Sequence, residues 1–246
     1  MQVTTLSFYR LDAFWHRVWA FLHMGLAPSK MRRVPDIGFF KLLGTGRGAG
    51  FHPAPNFHVY SILATWPSRE AALRGLEDAA FRAYADKATE TWHLLLSAVQ
   101  GHGSWDRQAP FECERTAASP RPIGVLTRAS IRWTRLLRFW QSVPSVSATT
   151  RDEKHMRFRI GMGERPILQL MTFSLWDDVD ALKSFAYRDG QHLTTLRRAR
   201  AEGWFSEELF ARFRVIESRG TWGGRDPLAD VDARPLSEAG VSEAAE

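Results

Sequence analysis

The chain has 246 residues, 44% of them hydrophobic, and a formal net charge of +6, enough length to bury a sizeable core in one domain or two small ones. Its single cysteine, Cys113, excludes an internal disulfide framework, a cysteine-built zinc site and an iron–sulfur centre on this chain alone. No run approaches the ~18 consecutive apolar residues of a membrane-spanning helix, and the N-terminus lacks the basic start and apolar core of a signal peptide, so a cytoplasmic location is expected.

In chain order, Val3 to Tyr9 reads as a strand, and Asp12 as the N-cap of a helix on which Phe14, Val18, Phe21 and Leu22 follow helical spacing. Gly25 can close that helix, and Pro28 opposes its resumption. A basic loop (Lys30, Arg32, Arg33) leads to a strand, Phe39 to Leu43, and then to alternating glycines between Gly44 and Gly50. A strand over His58–Trp66, a helix from about Ser68 to Ala88 and a strand over Thr89–Val99 complete the first half. Pro110 to Pro122, rich in Pro, Ala and Ser, reads as a linker. Beyond it the order recurs: strand Ile123–Ile131, helix Thr134–Val143, strands Met156–Ile160 and Leu168–Leu175, a helical stretch after Trp176 that breaks at Gly190, and a last strand near Arg214–Glu217. From 223 onward large apolar residues are scarce and six acids face two arginines. That reads as a disordered acidic tail over 223–246 with a net charge of −4, which leaves +10 on the rest.

Three punctuation marks align between the halves. Lys41 to Gly46 matches Phe158 to Gly163, Leu63 to Trp66 matches Phe173 to Trp176, and Gly103-Ser104-Trp105 matches Gly220-Thr221-Trp222. The chain is therefore expected to be α+β, a tandem duplication of ferredoxin-like β-α-β-β-α-β units forming an intrachain dimeric α/β-barrel. The units are 1–109 and 122–222, joined by the linker 110–121. The 10 Trp and 16 Phe exceed what core filling usually demands and suit a wide apolar cavity. The halves differ in spacing: Trp66 to Trp105 is 39 positions, but Trp176 to Trp222 is 46, so the second half carries seven more residues around the stretch that contains His192.

His192, Thr195, Leu196 and Ala199 share one helical face, from which a neutral imidazole can ligate a haem iron. Arg197, Arg198 and Arg200 lie beside it, and a guanidinium suits a propionate. The same residues also read as a histidine at a helix start with arginines on a solvated face. The Gly44–Gly50 run fits neither dinucleotide nor nucleotide templates, and reads as a strand-end loop at the mouth of a cavity. His58, His93 and His102 read as polar wall residues, and no nucleophile-elbow, zinc-hydrolase or paired-cysteine signature occurs. The first helix, with Phe14, Trp15, Trp19 and Phe21 followed by Lys30, Arg32 and Arg33, could lie on an anionic membrane or be an ordinary core helix; the latter is the plainer reading.

Several longer stretches, Val18-Trp19-Ala20-Phe21-Leu22-His23-Met24-Gly25, Gly38 to Gly46, Gly50 to Asn56, Ile62 to Pro67 and Gly203 to Leu209, closely resemble the spheroidene monooxygenase family of purple phototrophic bacteria. The resemblance covers essentially residues 3 to 222, departing at Phe40, where tryptophan is common, and at Arg47 and Ala49. It implies an oxygenase that introduces a keto group at C-2 of acyclic carotenoids by successive hydroxylations, with O2, reduced ferredoxin and a haem cofactor. It further implies His192 as axial ligand, with Arg197 and Arg198 as possible propionate partners, and no nucleic-acid partner. A +10 body suits an acidic ferredoxin or peripheral contact with an anionic membrane. The alternatives are a cofactor-free monooxygenase on the same barrel, with His192 as a wall residue, and a non-catalytic carotenoid- or haem-binding protein.

Overall fold

A computed structural model of the chain describes residues 1–48, 54–114, 122–148, 154–165, 167–188 and 198–229. Eight antiparallel strands close into a barrel. The first half supplies β1 (Val3–Arg10), β2 (Phe40–Gly46), β3 (Pro55–Trp66) and β4 (Glu90–Gly103); the second supplies β5 (Ile123–Ile131), β6 (Met156–Arg165), β7 (Gln169–Trp176) and β8 (Phe205–Gly220). Around the barrel the order is β1-β3-β2-β6-β7-β5-β8-β4, so each half contributes the same arrangement, its fourth, first, third and second strands side by side. Helices α1 (Phe14–Met31), α2 (Arg69–Leu76) and α3 (Ala79–Ala85) belong to the first half, α4 (Leu136–Ala148) and α5 (Val179–Arg188) to the second.

The seams join equivalent segments. Gly44 pairs with Gly163 where β2 meets β6, and β4 runs beside β8 from Trp92–Gly220 to Gly103–Leu209. Gly103 and Gly220, matched in sequence, both have positive φ (91° and 88°). A Cβ at either would lie 2.1 Å from a backbone carbonyl, Glu208 for Gly103 and Thr91 for Gly220, so only glycine fits these two turns.

Inside the barrel, Phe8, Trp92, Trp105, Phe173, Phe213 and a shell of Leu, Ile and Met form one buried cluster. Phe8 stacks on Trp92 at 5.3 Å, and Phe158 meets Trp92 edge-on at 4.8 Å. The aromatic load expected to line a wide cavity thus fills the lumen, because eight strands leave an interior only about wide enough for side chains.

Several boundaries differ from the sequence reading. α1 continues through Gly25 to Met31 with Pro28 in its last turns, where few following amides depend on it. Ala13 precedes α1 without a side-chain cap, while Asp12 accepts a bond from the Thr89 hydroxyl at 2.7 Å, chiefly which holds its carboxyl below the usual range. The helix expected over 68–88 is two helices, divided where Asp78 caps the Ala80 amide at 2.8 Å. β8 is 16 residues long, since both neighbours give it partners along its length. The stretch expected as tail from 223 is packed as far as Ala229: Leu228 is buried in the barrel core, and Asp226 accepts from the Ser218 hydroxyl. The rest of that stretch, 230–246, lies outside the described residues, as does most of the 110–121 linker. Among the described residues no helix is long and apolar enough to cross a membrane.

Candidate functional site

The two halves fill the space between sheet and helices differently. In the first, Tyr9, Tyr60, Ile62 and Trp66 on the outward side of the sheet pack with Phe81, Tyr84 and the alanines of α2 and α3 in one continuous cluster. Trp66 donates to the Thr5 hydroxyl at 2.9 Å and lies against Gly75, whose hydrogen leaves room that a Cβ would fill.

Among the described residues of the second half, the corresponding layer falls into two clusters. Ile131, Phe139, Leu170, Ala199 and Trp204 form one apolar cluster; Ile123, Val125, Trp176 and Val179, with Phe185 against Trp176 at 5.1 Å, form another. Side chains alternate along a strand, so with Ile160, Met171, Phe173 and Leu126 facing the lumen, Gly161, Thr172 and Thr127 share a cross-strand row on the helix side. Ala129 and Ser174 lie on the same face. From Gly161 to Thr127 the row holds nothing larger than threonine, and it ends at Phe210, which pairs with Thr127; Gly161 is buried and Thr127 exposed. The neighbouring row runs Arg159, Ser174, Val125, Arg212, and Arg212 Nε is buried with no hydrogen-bond partner. Among the described residues this is a strip of small side chains between apolar walls, with a guanidinium NH that lacks a hydrogen-bond partner at its edge, a surface that suits a flat apolar group with an anionic rim, as a haem would be.

The helix that follows is positioned by capping: Asp178 accepts from the Ala181 amide at 2.8 Å and starts α5 over the clusters. His192 and Arg197 lie outside the described residues. Arg198 is described, in helical conformation with residues 199–201; it is 67% exposed and its Nε donates to Glu202 at 2.7 Å. Glu202 also accepts from Arg138 and from the Trp204 indole, and these bonds, led by Arg198, bring its pKa down to about 2. Gly203, at φ 62°, then turns the chain so that Trp204 closes the first apolar cluster.

One end of the barrel is plugged by charge. Arg128, 2% exposed, donates from Nη1 to Glu207 at 2.7 Å and lies over the Trp105 ring at 5.0 Å. Glu164 accepts from Lys41 and from the Trp105 indole, each at 2.6 Å. Burial works against ionisation of Glu207, but the Arg107 amide, the Ser104 hydroxyl and Arg128 outweigh it and hold the pKa at about 2. At the other end, Gly46, Gly48, Asn56, His58, Val59, Phe158, Ile160 and Trp222 are among the residues around a cavity of about 450 Å³, which places the glycine run at a barrel mouth.

Of the wall histidines, His93 faces the first half's helix layer with Nδ1 2.7 Å from the Ser7 hydroxyl, and burial, then Arg219, lowers its pKa to about 4. His58 lies 2.7 Å from Arg17, and among the described residues no histidine, cysteine or carboxylate cluster could hold a metal ion. Sequence reasoning passed over the Gly161–Thr172–Thr127 row and Arg128. Signals were present: small polar residues alternate with Met171, Phe173 and Leu175, and a charge interrupts the apolar strand Ile123–Ile131.

No family model matches the chain. It is 40% identical over 242 residues to a spheroidene monooxygenase of Cereibacter sphaeroides, covering 97% of this chain and 74% of that protein. It is 38% identical over 233 residues to a spheroidene monooxygenase of Rhodobacter capsulatus, covering 93% and 96%. A crystal structure of aldoxime dehydratase superposes with a TM-score of 0.60 at 11% identity over 87% of this chain and 81% of that one, which is a likeness of fold.

Proposed function

The chain belongs to the spheroidene monooxygenase family, and from that premise we propose that this carotenoid monooxygenase places a keto group at C-2 of an acyclic carotenoid, using O2, reduced ferredoxin and haem. Each hydroxylation takes up one O2, two electrons and two protons, inserts one oxygen atom into a C–H bond and releases the other as water. The second gives a geminal diol, which loses water to become the ketone. Haem, when bound, supplies the activation of O2.

The observation that carries the cofactor reading is the row of small residues Gly161, Thr172 and Thr127 between two apolar clusters, in the half that also holds the extra seven residues. In this reading His192, outside the described residues, would hold the haem iron, and Arg212, whose Nε has no hydrogen-bond partner among the described residues, would meet an anionic edge. Arg197 and Arg198 serve the propionates, Arg198 by exchanging Glu202 for them. Trp176, Phe185 and Trp204 wall the space and keep water from the oxidant, which limits uncoupled reduction of O2. The basic body favours docking of an acidic ferredoxin, and the enzyme works from the cytoplasm at the membrane that dissolves its substrate. The repeated strand order and the paired glycines Gly103 and Gly220 support a tandem duplication of units 1–109 and 122–222.

The test is spectroscopic first. Protein expressed with ample haem supply should show a Soret band, and His192→Ala should lose it while His93→Ala and His58→Ala keep it. Absence of the band in the parent protein points to the cofactor-free alternative. Spheroidene supplied with O2 and reductant should return as the ketone; unaltered polyene would mark a carrier.

A further inference from the structure

Helix α1 is apolar on both sides. Ala20, His23, Ala27 and Met31 are buried toward the first half's sheet. Facing away, Phe14, Trp15, Phe21, Leu22 and Leu26 are between 59% and 75% exposed. At ~100° per residue these five, together with Val18 and Gly25, occupy one arc of about 140° that contains no charged group. Phe57 of β3 extends the patch, 47% exposed with its ring edge-on to Phe21 at 5.7 Å. The sequence left this helix between a core helix and a membrane-surface helix; in the structure its outward face is covered by nothing in the described chain.

We propose that this face is where the enzyme lies on an anionic lipid bilayer, with the α1 arc and Phe57 set into the headgroup layer. Soluble monomers rarely leave so large a contiguous apolar patch bare, and Trp and Phe mixed with Leu suit the interface, where a ring meets both chains and headgroups. The rim is cationic: Lys30 lies in the last turn of the helix, exposed Arg32 and Arg33 follow it, and α1 has no acidic residue. The nearest acids are engaged elsewhere, Asp12 with Thr89 and Asp36 with Arg74. Anionic headgroups complement such a rim, whereas a two-fold contact between copies of this chain offers it no carboxylates. Phe57 sits between Asn56 and His58, both on the wall of the mouth cavity that also holds Phe158, Ile160 and Trp222, so the apolar patch leads to an opening of the barrel. Contact with the bilayer does not rest on the carotenoid reading.

Sedimentation of the full chain with vesicles reads the contact without haem, substrate or turnover, so its failure would leave the monooxygenase reading standing. The protein should pellet with phosphatidylcholine–phosphatidylglycerol vesicles and far less with phosphatidylcholine alone. Trp15→Ser/Leu22→Gln/Leu26→Gln should lower partitioning about tenfold or more with the thermal midpoint unchanged, and Lys30→Glu/Arg33→Glu should remove its salt dependence. The proposal is overturned if the triple variant pellets like the parent, or if Trp133→Ser/Leu137→Gln on the second half costs as much. It is equally overturned if the parent ignores vesicles and is a dimer that the triple variant splits, since a second copy would then cover the face.

Discussion

The outward sides of the two half-sheets share one strand order and opposite fillings. On the first, Trp66, Tyr9, Tyr60 and Phe81 seal sheet to helices in a single apolar layer. On the second, glycine, threonine, serine and alanine leave a strip between two smaller clusters. One topology therefore carries a large-residue core on one side and a shelf of small side chains on the other, and among the described residues the difference lies in a handful of side chains rather than in the backbone.

Filling the shelf should have the largest effect. Thr172→Trp is expected to abolish haem uptake and carotenoid turnover while far-UV circular dichroism stays unchanged; retained turnover would place the site elsewhere. Emptying the sealed side comes next. Trp66→Ala should cost about 3–5 kcal/mol in denaturant unfolding, and Trp176→Ala clearly less, because the cluster around Trp176 is smaller. Equal losses would erase the contrast. Overfilling the sealed side should cost somewhat less: a Cβ at Gly75 would stand 2.1 Å from the Trp66 ring, so Gly75→Ala should destabilise by about 1–3 kcal/mol. The smallest effect concerns pH. Folded protein keeps His93 neutral down to about pH 4, whereas the unfolded chain takes up that proton near 6.5. Stability present above pH 6.5 should thus drain away as the pH falls toward 4, by about 1–2 kcal/mol for a partly exposed ring. His93→Gln, which can still bond Ser7, should flatten that dependence in thermal melts.

Much of the fold was legible because its signals are local. Period-two runs such as Val3–Tyr9 and Ile123–Ile131 name strands, and glycines at 103 and 220 mark turns that only glycine can make. The seven-residue excess of the second half also pointed to the half where the shelf lies. Less local features were lost. α1 ignores Gly25 and Pro28 because packing of Ala27 and Met31 outweighs weak stop signals, and β8 extends over 16 residues because partners on both edges satisfy its backbone.

Composition and spacing by themselves pointed to an α+β chain with two matched halves, a basic body, no internal disulfide and one asymmetric insertion. Only the tertiary structure decided what the aromatic residues do. The sequence counted them as the lining of a cavity, but closure of eight strands turns Phe8, Trp92, Phe173 and Phe213 inward until they fill the lumen. The same closure turns the small residues Gly161, Thr172 and Thr127 to the helix side, while helix phase leaves Phe14, Trp15 and Phe21 facing outward. The physical reason is that a side chain's face is set by strand register and helix phase, whereas whether that face is filled or bare depends on residues far apart in the chain.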